Sequence, residues 1–206
     1  MWFAVRAWRI YALPCYVGHH PFSGRLSVKR LGAILAGGKS TRFGSDKAAA
    51  LLNGRPLIEH VAECLGTRVE AMIICGREWP GIRCVADRPA TDMGPLGGLN
   101  AALHFARDNG FDYVLTAGCD VLPLPLIPDP ADTQSAYFVE GHYLFGLWPA
   151  SLAPVLERHL EQQFNHSMRH WIETIGAQAL PATVAHANFN TPADLEEFSC
   201  KFAGQG

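Results

Sequence analysis

Apolar positions fall into short continuous runs divided by glycine- and proline-rich stretches, the pattern of buried strands alternating with amphipathic helices. Leu31–Leu35 (LGAIL) reads as a strand. It runs into Ala36–Lys47, a loop holding Gly37, Gly38 and Gly44. Pro56–Leu65 is apolar at 57, 58, 61, 62 and 65, a helical spacing. Glu70–Cys75 and Ile82–Ala86 read as strands, the second ending at Asp87. Asp92–Gly98 (DMGPLGG) reads as a loop before a helix over Gly98–Asp108. Tyr113–Ala117 (YVLTA) is a buried strand that delivers Cys119 and Asp120. Prolines at 123, 125, 128 and 130 then forbid regular structure. Ser135–Trp148 reads as a hairpin turning at Glu140-Gly141, and Ser151–Gln163 and Met168–Ile175 as helices. Thr191, with Pro192 and Asp194 behind it, caps a last helix over Pro192–Phe202. The order predicts one α/β domain over residues 31–206, with a mostly parallel, doubly wound sheet.

Charge divides the 206 residues. All 19 acidic residues lie after position 45, whereas residues 1–30 hold Arg6, Arg9, Arg25, Lys29 and Arg30 and no acid. The acidic body excludes a general nucleic-acid binder, which needs a basic face. No apolar run is long enough to predict a membrane span. Residues 1–30 read as a poorly ordered extension, or as translation from a start codon upstream of the native one. Arg6 and Arg9 interrupt the apolar stretch that a secretory signal requires. The six cysteines form no C-x-x-C pair and read as reduced, mostly buried thiols. His166 and His170 are spaced i, i+4, but no carboxylate completes a metal set, so these histidines and His159 read as surface residues.

In an open parallel sheet, ligands bind beyond the carboxyl ends of the strands. Three chemically loaded segments fall there. The loop Ala36–Lys47 offers glycine backbone to a phosphate or base and two cations, Arg42 and Lys47, to neutralise a triphosphate. Asp87 and Asp120 each end a strand, and Asp120 is placed to bind Mg²⁺ bridging phosphate oxygens. Gly38-Lys39-Ser40 matches the end of a Walker A loop, but the glycine required five positions earlier is Ala33.

Four segments together carry a family resemblance. Leu35–Ala48 (LAGGKSTRFGSDKA) resembles the signature loop of the molybdenum cofactor guanylyltransferases. Asp92–Leu99, Gly118–Pro123 (GCDVLP) and Asn188–Leu195 (NFNTPADL) resemble that family's further segments, in order and spacing. The resemblance implies a three-layer Rossmann-like fold of the nucleotide-diphospho-sugar transferase type. It implies a cytoplasmic enzyme that joins GMP from GTP to the phosphate of molybdenum-molybdopterin and releases pyrophosphate. Leu35, Ala36, Gly37 and Gly38 would hold guanine and phosphates, Lys47 and Arg42 phosphate, and Asp87 the nucleoside. Asp120 would hold Mg²⁺ and GTP, and Asn188 and Asn190 would lie on the pterin side. A protein that delivers molybdopterin, or a molybdoenzyme, is a compatible partner. The chain departs from the family pattern in three places. Ile74–Arg77 stands where an asparagine is usual, Val121-Leu122 adds one residue before Pro123, and His142-Tyr143 replaces a His-Pro dipeptide. A cytidylyltransferase of the same superfamily, a sugar-phosphate transferase and a non-catalytic nucleotide-binding protein of this fold remain open alternatives.

Overall fold

The structure, a computed structural model, describes residues 28–37, 46–91, 93–130, 132, 134–162, 165–182, 187–189 and 191–203. In chain order the elements are β1 (Arg30–Leu35), β2 (Leu51–Leu52), β3 (Arg55–Pro56), α1 (Leu57–Gly66), β4 (Ala71–Cys75), β5 (Arg83–Val85), α2 (Gly94–Asp108), β6 (Tyr113–Gly118), β7 (Val121–Leu122), β8 (Tyr137–Val139), β9 (His142–Pro149), α3 (Ala153–Gln162), α4 (Met168–Ile175), β10 (Gln178–Leu180), β11 (Ala187–Asn188) and α5 (Pro192–Ala203).

The central sheet has seven strands in the order β10-β8-β9-β6-β1-β4-β5. β1 pairs in parallel with both β4 and β6, and β5 extends the parallel run. β9 runs antiparallel to β6, and antiparallel to β8 because a tight turn at Glu140-Gly141 sends the chain straight back. The pleat sorts β1 cleanly. Leu31, Ala33 and Leu35 join a core with α2, α3 and α4, whereas Ile34 faces the opposite core with α1 and α5. Three layers result, as the sequence predicts. Residues 1–27 lie outside the described residues, and Lys29 already belongs to the fold, its N–H donating to Asp112 Oδ2 at 2.8 Å.

Two departures have plain causes. α2 begins at Gly94, not at position 98, so most of the expected loop is helix. Pro95 sits in the first turn, where its missing N–H costs nothing. Gly97 and Gly98 are glycine because the helix lies against the strand ends there. A Cβ on Gly98 would come within 3.1 Å of Cys75 Cβ. The second departure is the small β2–β3 hairpin. Its signal is Asn53-Gly54, both at positive φ, the dipeptide that a two-residue hairpin turn favours.

One buried polar pair fixes the β6–β9 seam. The Trp148 indole donates to Thr116 Oγ1 at 2.9 Å, and both residues are wholly buried. Thr116→Val keeps the shape and removes the acceptor. It is expected to cost about 1–3 kcal/mol in urea unfolding, the penalty for a buried donor left unpaired.

Candidate active site

The carboxyl ends of β6, β1, β4 and β5 lie side by side, and their loops build the site. Ala36 N–H donates to Cys75 O at 3.0 Å, and Gly76 N–H to Val85 O at 3.1 Å, so the sheet continues one residue past its strands. Gly37 and Gly76 then touch backbone to backbone. A Cβ on Gly76, whose φ is +83°, would lie 2.5 Å from Gly37 Cα. Asp87 leans over this contact. A Cβ on Gly37 would sit 3.4 Å from its Oδ2, and one on Gly97 would sit 3.1 Å from its Cβ. Four glycines, Gly37, Gly76, Gly97 and Gly98, thus make a floor on which one carboxylate rests, with space that any side chain would fill.

The other flank carries charge. Asp46 caps a single 3₁₀ turn over Lys47–Ala49, accepting from Ala48 N–H at 3.1 Å. Arg77, one residue past Gly76, donates to Asp46 Oδ1 at 2.6 Å. That hydrogen bond holds the Asp46 carboxyl below the usual range, against the opposing effect of burial. The turn aims Lys47 at the end of β6, where Nζ donates to Asp120 Oδ2 at 2.7 Å. The neighbouring Cys119 thiol is pushed up to about 11, first by burial and then by the Asp120 charge. Burial also raises the Cys75 thiol. Neither is a ready nucleophile at neutral pH.

Asp120 is braced from the far end of the chain. Its carbonyl accepts from Phe189 N–H at 2.9 Å, and β7 pairs with β11 so that Val121 lies opposite Asn188. Phe189, wholly buried, meets Phe198 of α5 edge-on at 5.1 Å. Asp120 and Asn188 both face an open groove of about 480 Å³. Its other wall is the start of β9, with Tyr143 and Leu144, and the start of α4, with Met168 and Arg169.

The structure therefore gathers Leu35, Ala36, Gly37, Lys47, Asp87 and Asp120 at one sheet edge, with Asn188 beside Asp120. Gly38, Arg42 and Asn190 lie outside the described residues. Asp87 and Asp120 end strands three places apart, roughly 14 Å at ~4.8 Å per strand. Arg77 and Gly76 go unassigned in the sequence. Their signal is Gly-Arg directly after a strand, where a residue at positive φ ends the run. One histidine differs from its surface reading. His159 is buried, its ring centroid 5.2 Å from that of Trp171 and 5.5 Å from that of His170. The burial holds its pKa below the ordinary value. Among the described residues no group of three or more His, Cys, Asp or Glu forms a metal cage. No described helix is long and apolar enough to cross a membrane.

Residues 32–181 match the model of the MobA-like NTP transferase domain. The chain belongs to this family. The molybdenum cofactor guanylyltransferase of Cereibacter sphaeroides is 32% identical over 188 residues, covering 82% of this chain and 94% of the relative. That of Yersinia pestis is 30% identical over 193 residues, covering 84% and 97%. The crystal structure of molybdopterin-guanine dinucleotide biosynthesis protein A from Archaeoglobus fulgidus superposes with a TM-score of 0.62 at 20% identity. It covers 85% of this chain and all of that one, so the fold is shared. The MobA-like chain is thus a nucleotidyltransferase, as its four segments imply, with the fold of that class. Such enzymes generally use a divalent cation. Asp120 suits one: it lines the groove, its hard oxygens already hold the Lys47 ammonium, and one or two carboxylates plus substrate phosphates is a common way of binding Mg²⁺.

Proposed function

We propose that this protein transfers GMP from GTP to the terminal phosphate of molybdenum-bearing molybdopterin, forming the guanine dinucleotide cofactor and releasing pyrophosphate. The observation that carries the reading is the Lys47–Asp120 pair, set between the glycine end of β1 and an open groove. The backbone of Leu35–Gly38 receives guanine and phosphates, and Asp87 contacts the nucleoside. Lys47 and Arg42 take phosphate charge. Asn188 and Asn190 serve the acceptor. The distance between the ends of β5 and β6 supports a nucleotide stretched across β1 and β4.

A phosphate oxygen of the acceptor attacks the α-phosphorus of GTP. One P–O bond forms, the α–β bridging P–O bond breaks, and the electron pair leaves on pyrophosphate. The nucleophile is already ionised at neutral pH, so no protein base is needed. Mg²⁺ on Asp120, when bound, offsets charge on the reacting phosphates. Lys47 Nζ adds a fixed cation at the same place.

Incorporation of label from α-labelled GTP into molybdopterin tests this. Lys47→Gln is expected to lower kcat/KM by about 100-fold, the usual scale for losing one fixed charge on a phosphoryl transition state. Preference for CTP over GTP in the wild type, or an unchanged rate in the variant, would overturn the reading.

A further inference from the structure

Tyr143 stands at a position where the related pattern has proline, and it does not point idly into solvent. It lies on the groove that also holds Asp120. Phe138 stacks with its ring, with centroids 6.0 Å apart and planes inclined by 26°. Over the ring stands the Arg169 guanidinium, 5.9 Å from the centroid. That separation is at the outer edge of a cation–π contact, about 6 Å. A planar ring inserted between the two needs about 7 Å, two stacking distances of ~3.5 Å. Arg169 need swing by only about 1 Å to close on such a ring. Little holds it back: the side chain is exposed, and its ion pair with Glu173 is long, 3.6 Å, and screened by solvent. Among the described residues, Arg169 is also the only lysine or arginine that lines the groove. Leu124, Leu144, Phe145 and Met168 supply apolar wall around it.

We infer that Tyr143 and Arg169 form a clamp that stacks the flat heterocycle of the acceptor, placing its phosphate toward Asp120. Phe138 backs the tyrosine so that the stacking face is held before the ligand arrives. The clamp rests on the guanylyl-transfer reading, and it makes Tyr143 and Arg169 specificity determinants for a planar acceptor over a sugar phosphate.

Two measurements test it on the full chain. In the transfer assay, Tyr143→Leu and Arg169→Gln are each expected to raise the KM for molybdopterin roughly 10- to 50-fold, on the scale of one lost base-stacking contact, leaving the KM for GTP unchanged. Tyr143→Phe should restore the acceptor KM to within about threefold, since the stacking face survives. In a binding assay without GTP, a monophosphorylated pterin should lose fluorescence on the wild type and keep it on Tyr143→Leu. Wild-type transfer with unchanged acceptor KM in both variants would overturn the clamp and leave guanylyl transfer standing. Equal rises in both KM values would mark a structural role and also overturn it. Quenching by the wild type without any GMP transfer would overturn guanylyl transfer and leave the clamp standing. A wild type that does not quench the pterin would overturn the clamp.

Discussion

Asp120→Asn should lower kcat/KM for GMP transfer by about 100- to 1,000-fold, the scale for losing one group that offsets transition-state charge, here the cation that Asp120 would hold. The substitution keeps the shape of the side chain. The Asp120 carbonyl still accepts from Phe189 N–H, and the β7–β11 pairing is untouched, since both use backbone alone. What goes is the negative charge, and with it the ion pair to Lys47 Nζ. That pair is mostly buried, its side chains 12% and 25% exposed, so its loss is expected to cost about 1–3 kcal/mol in urea unfolding. The protein should stay folded at room temperature while activity collapses. The cation concentration for half-maximal rate should also rise steeply. A loss of less than fivefold, or an unchanged cation dependence, would remove Asp120 from the role given to it.

Gly76→Ala should be nearly as damaging by a different route. A Cβ there would lie 2.5 Å from Gly37 Cα and 2.9 Å from Gly37 N, and backbone atoms cannot rotate out of the way. The residue also sits at φ +83°, which an L side chain adopts at a cost. The expected loss is about 2–4 kcal/mol in urea unfolding, with GTP affinity by calorimetry down at least tenfold as Gly37 is pushed off its position. Gly54→Ala is the matched control. Its φ is +77°, but nothing lies within 4 Å of the added carbon. It should cost only the conformational term, about 1 kcal/mol, with GTP binding intact. Equal effects at the two glycines would mean that the contact with Gly37 matters little.

Much of the site is legible in the sequence for a local reason. Leu31–Leu35 and Tyr113–Ala117 are short, continuous and apolar, which marks them as central strands, and whatever follows such strands lies at the ligand edge. Asp87 and Asp120 gain their meaning that way. What stays hidden is set by contacts distant in sequence. Lys47 and Asp120 lie 73 positions apart, and no local pattern states that one aims at the other. The same holds for β10, three residues whose strand character comes wholly from lying beside β8. The start of α2 misleads for a physical reason. Gly94, Gly97 and Gly98 have the composition of a loop, yet two of them serve close packing of a helix on Cys75 and Asp87. His159 misleads because periodicity gives a face and not its depth, and Trp171 happens to cover it.

The bond from Phe189 to Asp120 bears on how the enzyme comes into being. During synthesis, β6 and its aspartate leave the ribosome long before Phe189 and α5 do. The contacts of the glycine floor, among Gly37, Gly76, Asp87 and Gly97, involve no residue of that later segment, although α5 completes the core under Ile34. A nascent chain can therefore shape its nucleotide edge while the Asp120 loop still lacks its brace. The Asp120 loop gains its brace only when Asn188, Phe189 and Phe198 have docked.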